Sequence, residues 1–167
     1  MMEIKDCKGL KFLRTQGQKT HMIDLLNISF KTTDGDDILS SMENSHQYYI
    51  LHKHRIASIL SLKETALSRT GNYIPFMIYN ACTHPRFQNR GYMSKLLAHV
   101  VKTLVTDRPG SLFLEVLKNN TSAIGLYHKM GFHAYKDFGE GVLMRKRIPS
   151  RRSYTEEVLY PPQRSHR

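Results

Sequence analysis

Phe76-Met77-Ile78-Tyr79-Asn80-Ala81-Cys82, an apolar run of strand length, precedes Gln88-Asn89-Arg90-Gly91-Tyr92-Met93-Ser94, and apolar residues then recur at Leu96, Leu97, Val100, Val101 and Leu104. The recurrence has helical spacing, so a strand feeds a tight loop that opens a helix. At a helix start the first backbone N–H groups lack intrahelical partners and the macrodipole presents partial positive charge. A glycine that lets the backbone approach closely turns such a start into a cradle for an anion, and a pyrophosphate suits it. The loop lacks the Gly-Lys-Ser/Thr ending of a Walker loop and the three spaced glycines of the dinucleotide fingerprint, which argues against nucleotide hydrolysis and nicotinamide binding. By itself the heptapeptide is equally compatible with an ordinary strand-to-helix turn.

A second stretch downstream adds independent information. Leu112-Phe113-Leu114-Glu115-Val116-Leu117 reads as a buried strand carrying one carboxylate. Burial raises a carboxyl pKa toward the range useful to a general base, whereas a structural Glu in such a place needs a basic or N–H partner. Asn119, Asn120, Thr121 and Ser122 form a capping cluster. Ala123, Ile124, Tyr127 and Met130 then recur at helical spacing until Gly131-Phe132 ends the helix. Tyr127 therefore belongs on the buried face, where an ordinary core aromatic is the alternative reading.

In this order, the two stretches resemble the GNAT acetyltransferase superfamily, whose pattern is Gln/Arg-x-x-Gly-x-Gly/Ala after a central strand, then a strand, Asn-x-x-Ala, a helical Tyr and Gly-Phe. The matched core runs over 73–138, with weaker flanking similarity over 10–147. The resemblance implies that backbone groups of Ala81, Cys82 and Thr83 meet the pantetheine arm of acetyl-CoA. It assigns the pyrophosphate to Gln88, Asn89, Arg90, Gly91, Tyr92, Met93 and Ser94, and places Asn120 on the other side of the arm. Tyr127 takes the position of the general acid that reprotonates the departing thiolate, a role open to a phenol that stays un-ionised at neutral pH.

Two departures from the pattern matter. Met93 stands where the family has Gly or Ala, but its unbranched side chain is free to point away. No carboxylate lies between Asn72 and Asn80, so the base that some lysine-acetylating branches carry on the central strand is missing here. In the branch that acetylates protein N-termini, Glu or His occupies the position of Glu115, which makes Glu115 the candidate base, with His84 and His128 as fallbacks. A covalent route through Cys82 is disfavoured, because a strand cysteine without a basic neighbour is usually inert.

At 167 residues with 40% apolar content, the chain supports one domain with a real core. Twenty-five Lys and Arg against fourteen Asp and Glu leave a net charge of +11, which argues against a polycationic acceptor such as a polyamine. Seven of those cations lie from Arg145 onward, against two Glu. Arg145 to Arg152 matches a nuclear import signal or an RNA-contacting arm, with a solvated tail as the commoner explanation. Two cysteines form no disulfide framework, and no His/Cys cluster has ligand spacing, so no metal is expected. Without a signal-peptide core or a membrane-length apolar window, a soluble cytoplasmic protein is expected, with the nucleus left open by the basic tail.

Leu10 to Thr15 reads as a first strand, Lys19 to Phe30 as a helix, Thr33 to Asp36 as a turn and Ile38 to Met42 as a short helix. Tyr48 to Leu51 and Ile56 to Leu62 suggest a hairpin turning at His52 to Arg55, and Lys63 to Asn72 a polar connection. His133 to Phe138 and Val142 to Arg147 suggest a final hairpin around Gly139-Glu140-Gly141. The expected fold class is α/β: a mixed, mostly antiparallel sheet with helices on both faces. By resemblance its two central strands splay around the cofactor. Residues 1–147 form the domain and 148–167 a basic tail. The expected function is transfer of acetyl from acetyl-CoA to a primary amine, on a protein or peptide ahead of a small molecule, directly in a ternary complex. The rival is an inactive module of the same fold that holds RNA or an acidic partner.

Overall fold

The computed structural model describes residues 2–31, 34–65 and 73–153. Strands β1 (Met2–Lys8), β2 (His46–His52), β3 (Arg55–Glu64), β4 (Ile74–Thr83), β5 (Gly110–Leu117), β6 (His133–Asp137) and β7 (Gly141–Ile148) make one seven-stranded sheet. Its order is β1-β2-β3-β4-β5-β7-β6, and β4–β5 is the parallel pair among antiparallel neighbours. That parallel step requires a crossover, supplied by helix α3 (Tyr92–Thr103). The β2–β3 hairpin turns at Lys53 and His54, both with positive φ, as a two-residue connection between twisted strands demands.

Alternation along the strands builds two cores. On one face α3 and α4 (Thr121–Lys129) cover Tyr48, Ile50, Leu60, Ile78, Leu112, Leu114 and Met144. Leu96, Leu97 and Val100 of α3 are wholly enclosed there, each worth about 2 kcal/mol of apolar burial. On the other face α1 (Gln16–Phe30) and α2 (Gly35–Ser41) cover Tyr49, Ile56, Ile59 and Cys82. A capping box starts α1: Thr15 accepts from the Gln18 N–H, and the Gln18 side chain accepts from the Thr15 N–H. Buried Gln47 donates to the carbonyl of Met42 at 2.8 Å and accepts from Ser61 at 2.7 Å, tying the end of α2 to β2 and β3.

Three expectations need correction. The first strand is Met2–Lys8, and 10–15 is a turn leading into α1. Gly9 sits at φ +64 with a Cβ position only 2.8 Å from the Glu43 carbonyl, so the chain turns there. The apolar Leu10, Phe12 and Leu13 fold onto the second core. β1 escaped notice because it is an edge strand, mostly exposed on both faces. Secondly, the connection expected at Lys63 begins later, since Lys63 and Glu64 still belong to β3; 66–72, like Thr33, lies outside the described residues.

Thirdly, the last strand, expected to end at Arg147, runs on to Ile148, and the basic run begins inside it. Arg145 lies in β7 among the rings of Tyr73, Phe113 and Tyr135 at 5.4–6.0 Å, and its Nε and Nη2 donate to Ser111 and the Tyr73 hydroxyl at 2.8 Å. Ile148 is buried at the end of the same strand, and the Arg151 N–H donates to the Thr106 carbonyl. Residues 154–167 lie outside the described part. No helix among the described residues is long and apolar enough to cross a membrane.

Candidate active site

β4 and β5 pair from Ile74↔Gly110 to Ile78↔Leu114 and then part, although both strands continue. The cause is one extra residue in β4. Against β3 the register jumps from Ser61↔Tyr79 to Ile59↔Cys82, and within the bulge Asn80 adopts φ 51. A bulge bends its strand and sharpens the local twist, and asparagine tolerates this left-handed conformation better than most residues. Ser58 then secures the far end of β4, with its hydroxyl 3.2 Å from the Cys82 carbonyl and 2.9 Å from the Thr83 hydroxyl. Where the strands have parted, the end of β4 and the helix that follows β5 flank a cleft of ≈ 580 Å³.

The loop after β4 forms one wall of that cleft. Pro85–Phe87 makes a single 3-10 turn, capped by the His84 ring, which accepts from the Arg86 N–H at 3.1 Å. Gln88 donates from its side chain to the Thr83 carbonyl at 3.3 Å. Asn89 and Gly91 have φ of 57 and 72. The first turn of α3 closes with Lys95 N–H to the Gly91 carbonyl at 3.0 Å, so the N–H groups of Tyr92, Met93 and Ser94 have no intrahelical acceptor. Nothing lies within 4 Å of a Cβ placed on Gly91. Side chains that would crowd this start turn inward. Met93 is buried in the core beneath α3, and the Tyr92 hydroxyl is hydrogen-bonded to the His52 Nδ1 at 2.8 Å beside Phe87. Met93 is thus mostly enclosed, while still contributing to the cleft wall.

Opposite, α4 brings Asn120, Ala123, Leu126 and Tyr127 to the cleft. Asn120 caps the helix by accepting the Ala123 N–H at 3.3 Å, which commits its carbonyl oxygen and leaves its amide N–H groups available. Tyr127 is buried, with its ring 5.8 Å from that of Phe132, and burial pushes its hydroxyl up to about 12. Cys82 lines the same cleft beside Ser29, and burial pushes its thiol up to about 12, far from a thiolate at neutral pH.

Of the residues singled out in the sequence, Cys82, Thr83, Gln88, Asn89, Gly91, Tyr92, Met93, Ser94, Asn120 and Tyr127 line this cleft, and Arg90 and Glu115 do not. Arg90 leans over the Phe87 ring into a neighbouring hollow. Glu115 corrects the expectation of a buried carboxylate: it is exposed, between buried Leu114 and Val116. Alternation turns it to the sheet face away from α3 and α4. It also stands one residue past the last β4–β5 pair. His84 caps the 3-10 turn outside this cleft, and His128 is exposed on α4. The walls from Ser29, Phe30, Ser122 and Leu126 were missed. Only Ser122, beside the Asn120 cap, carried a local signal; how the end of α1 reaches the cleft is a tertiary fact.

The acetyltransferase (GNAT) family model matches residues 32–132. The [ribosomal protein bS18]-alanine N-acetyltransferase of Salmonella typhimurium is 30% identical over 82 residues, covering 49% of this chain and 51% of that protein. The chain thus spans about half the length of this curated relative. Among solved structures, the ribosomal-protein-S18-alanine N-acetyltransferase of Escherichia coli superposes with a TM-score of 0.66 at 17% identity, over 89% of this chain and 94% of the other. The PaiA N-acetyltransferase of Thermoplasma acidophilum, solved in complex with coenzyme A, gives 0.62 at 13% identity over 88% and 99%. These two likenesses concern the fold.

Proposed function

Because the chain belongs to the acetyltransferase (GNAT) family, we propose that it transfers an acetyl group from acetyl-CoA to a primary amine of a protein or peptide, directly, in a ternary complex. The observation that carries this reading is the cleft flanked by the end of β4 and by α4. One wall offers unpaired helix-start N–H groups, and the other offers a buried, protonated Tyr127. The residues present fit the donor. The open space over Gly91 and the free N–H groups suit a pyrophosphate, and the apolar surfaces of Ala123 and Leu126 suit an extended arm.

Acetyl-CoA supplies an activated thioester when bound. The chain's own residues divide the proton work. Tyr127 holds a proton at its phenol oxygen inside the cleft and stands ready to deliver it to a thiolate. Glu115, on the opposite sheet face and open to solvent, takes the proton of the incoming ammonium, directly or through a water. Cys82, buried and protonated, stays out of the chemistry. Tyr79 and Leu117, exposed on the same sheet face as Glu115, give an acceptor apolar surface to lie against, which supports a peptide over a small polar amine. The name of the Salmonella relative, an alanine N-acetyltransferase of a ribosomal protein, points the same way, toward a protein amine.

The test compares acetylation of short peptides with free or blocked N-termini against panels of aminosugars, aminoglycosides and polyamines, read by thiol release and product mass. Transfer to free N-termini or lysines supports the proposal. Turnover confined to small amines would replace the acceptor class, and no transfer to any amine would favour the binding-module reading.

A further inference from the structure

On the far side of Phe87 from the cleft lies a second hollow of ≈ 240 Å³, between α1, the start of β3 and the β4–α3 loop. Its polar walls are Arg55, Arg86, Arg90, His21 and His84, and no carboxylate among the described residues lines it. These five groups arrive from three separate chain segments, so their meeting is a product of the fold and not of a local basic run. None of the three arginines forms an ion pair among the described residues. The His21 Nε2 is shut off from solvent with no hydrogen-bond partner among them. The groups sense one another: burial, and then the proximity of His21, Arg86 and Arg55, hold His84 below its ordinary value.

Like charges gathered without a counter-charge repel, and a buried ring nitrogen without a partner is costly. One anion would relieve both. Guanidinium forks match phosphate oxygens in pairs, and a ring N–H of an imidazole adds a further donor. We infer that this hollow is a second anion site, separate from the helix start at Gly91, which takes a phosphomonoester group. It goes beyond the proposed acetyl transfer and stands whether or not that reading holds. The phosphate has two available sources, the 3′-phosphate of the acyl donor or a separate phosphate-bearing molecule.

The test is calorimetric titration of inorganic phosphate at constant ionic strength into the wild type, Gly91→Asp, and the double variant Arg55→Gln/Arg86→Gln. Both arginines are exposed, so the double variant should fold, and its thermal midpoint without phosphate should equal or exceed that of the wild type. Phosphate should bind the wild type and Gly91→Asp alike and bind the double variant at least about tenfold more weakly. Absence of phosphate binding in the wild type, equal binding in the double variant, or loss confined to Gly91→Asp would each overturn the site. Acetyl-CoA and its 3′-dephospho form then separate the sources. A penalty for the dephospho form that vanishes in the double variant assigns the pocket to the donor's 3′-phosphate. Equal binding of both forms, with phosphate still seated in the hollow, assigns it to another molecule. Phosphate binding without acetyl-CoA binding would leave this site standing while removing the donor reading.

Discussion

Replacing Tyr127 by phenylalanine removes one oxygen from the cleft and leaves the ring against Phe132. Among the described residues the hydroxyl has no hydrogen-bond partner, so stability at neutral pH should change by less than about 1 kcal/mol. Its acidity, in contrast, is strongly shifted, from an ordinary 10.0 to about 12 by burial. At pH 7 the phenol is therefore ionised in only about one molecule in 10⁵, as a proton donor requires. Losing a positioned general acid should lower kcat by about 10²–10⁴, or roughly 3–5 kcal/mol of barrier, while acetyl-CoA affinity stays near the wild-type value. The raised pKa also fixes the sign of an alkaline effect. Folding favours the neutral phenol, so its contribution is complete below pH 10 and is lost as pH rises through 12. Between pH 9 and pH 11 the wild type should lose about 1.4 kcal/mol of unfolding free energy more than Tyr127→Phe. Steady-state kinetics and urea unfolding at the two pH values measure both effects. Turnover within about threefold of wild type, at unchanged affinity, would refute the assignment of Tyr127 as the acid.

Glu115→Gln should lower kcat about 10²–10⁴-fold at unchanged acetyl-CoA affinity. Because the residue is exposed, the thermal midpoint should hardly move; an unaltered rate would remove Glu115 from the chemistry. Asn80→Val, which puts a β-branched residue at φ 51, should destabilise the fold by about 1–2 kcal/mol in chemical denaturation, whereas Asn80→Gly should cost little. Equal stability of the two would show that the bulge is not held by this residue's conformation. Cys82→Ala should retain acetyl transfer, and mass spectrometry of wild type with acetyl-CoA should find no acetylated thiol. An acetyl group trapped on Cys82 would mean a covalent route.

Much of the frame could be read from the chain because its signals are local. Helical spacing at Leu96, Leu97 and Val100 announced α3, Asn120 announced the cap of α4, and Gly91 marked the open backbone at the helix start. The two-residue turn at Lys53 and His54 lay where strand lengths on either side required it. What escaped depends on neighbours distant in sequence. β1 carries no burial pattern because it is an edge strand, and its pairing with β2 makes it a strand at all. Glu115 sits in an apolar strand, yet α1 and α2 pack over β2, β3 and the end of β4 on that side, so the same residues that imply burial leave the carboxylate in water. Asn80 gave no sign of the bulge that separates β4 from β5, since a single residue's φ is not written in hydrophobic periodicity. Arg145 belonged to the expected last strand, but its setting among Tyr73, Phe113 and Tyr135 depends on residues distant in sequence.

The central claim is that the cleft flanked by the end of β4 and by α4 seats acetyl-CoA, with its pyrophosphate on the α3 start. Calorimetric titration of acetyl-CoA at physiological salt into the wild type and Gly91→Asp addresses it directly, because aspartate tolerates the left-handed backbone and the variant should remain folded. The account predicts saturable one-to-one binding by the wild type. It also predicts a loss of about 100-fold in Gly91→Asp, where a carboxylate faces the pyrophosphate. Equal affinities in the two proteins, or no binding in the wild type, would contradict it.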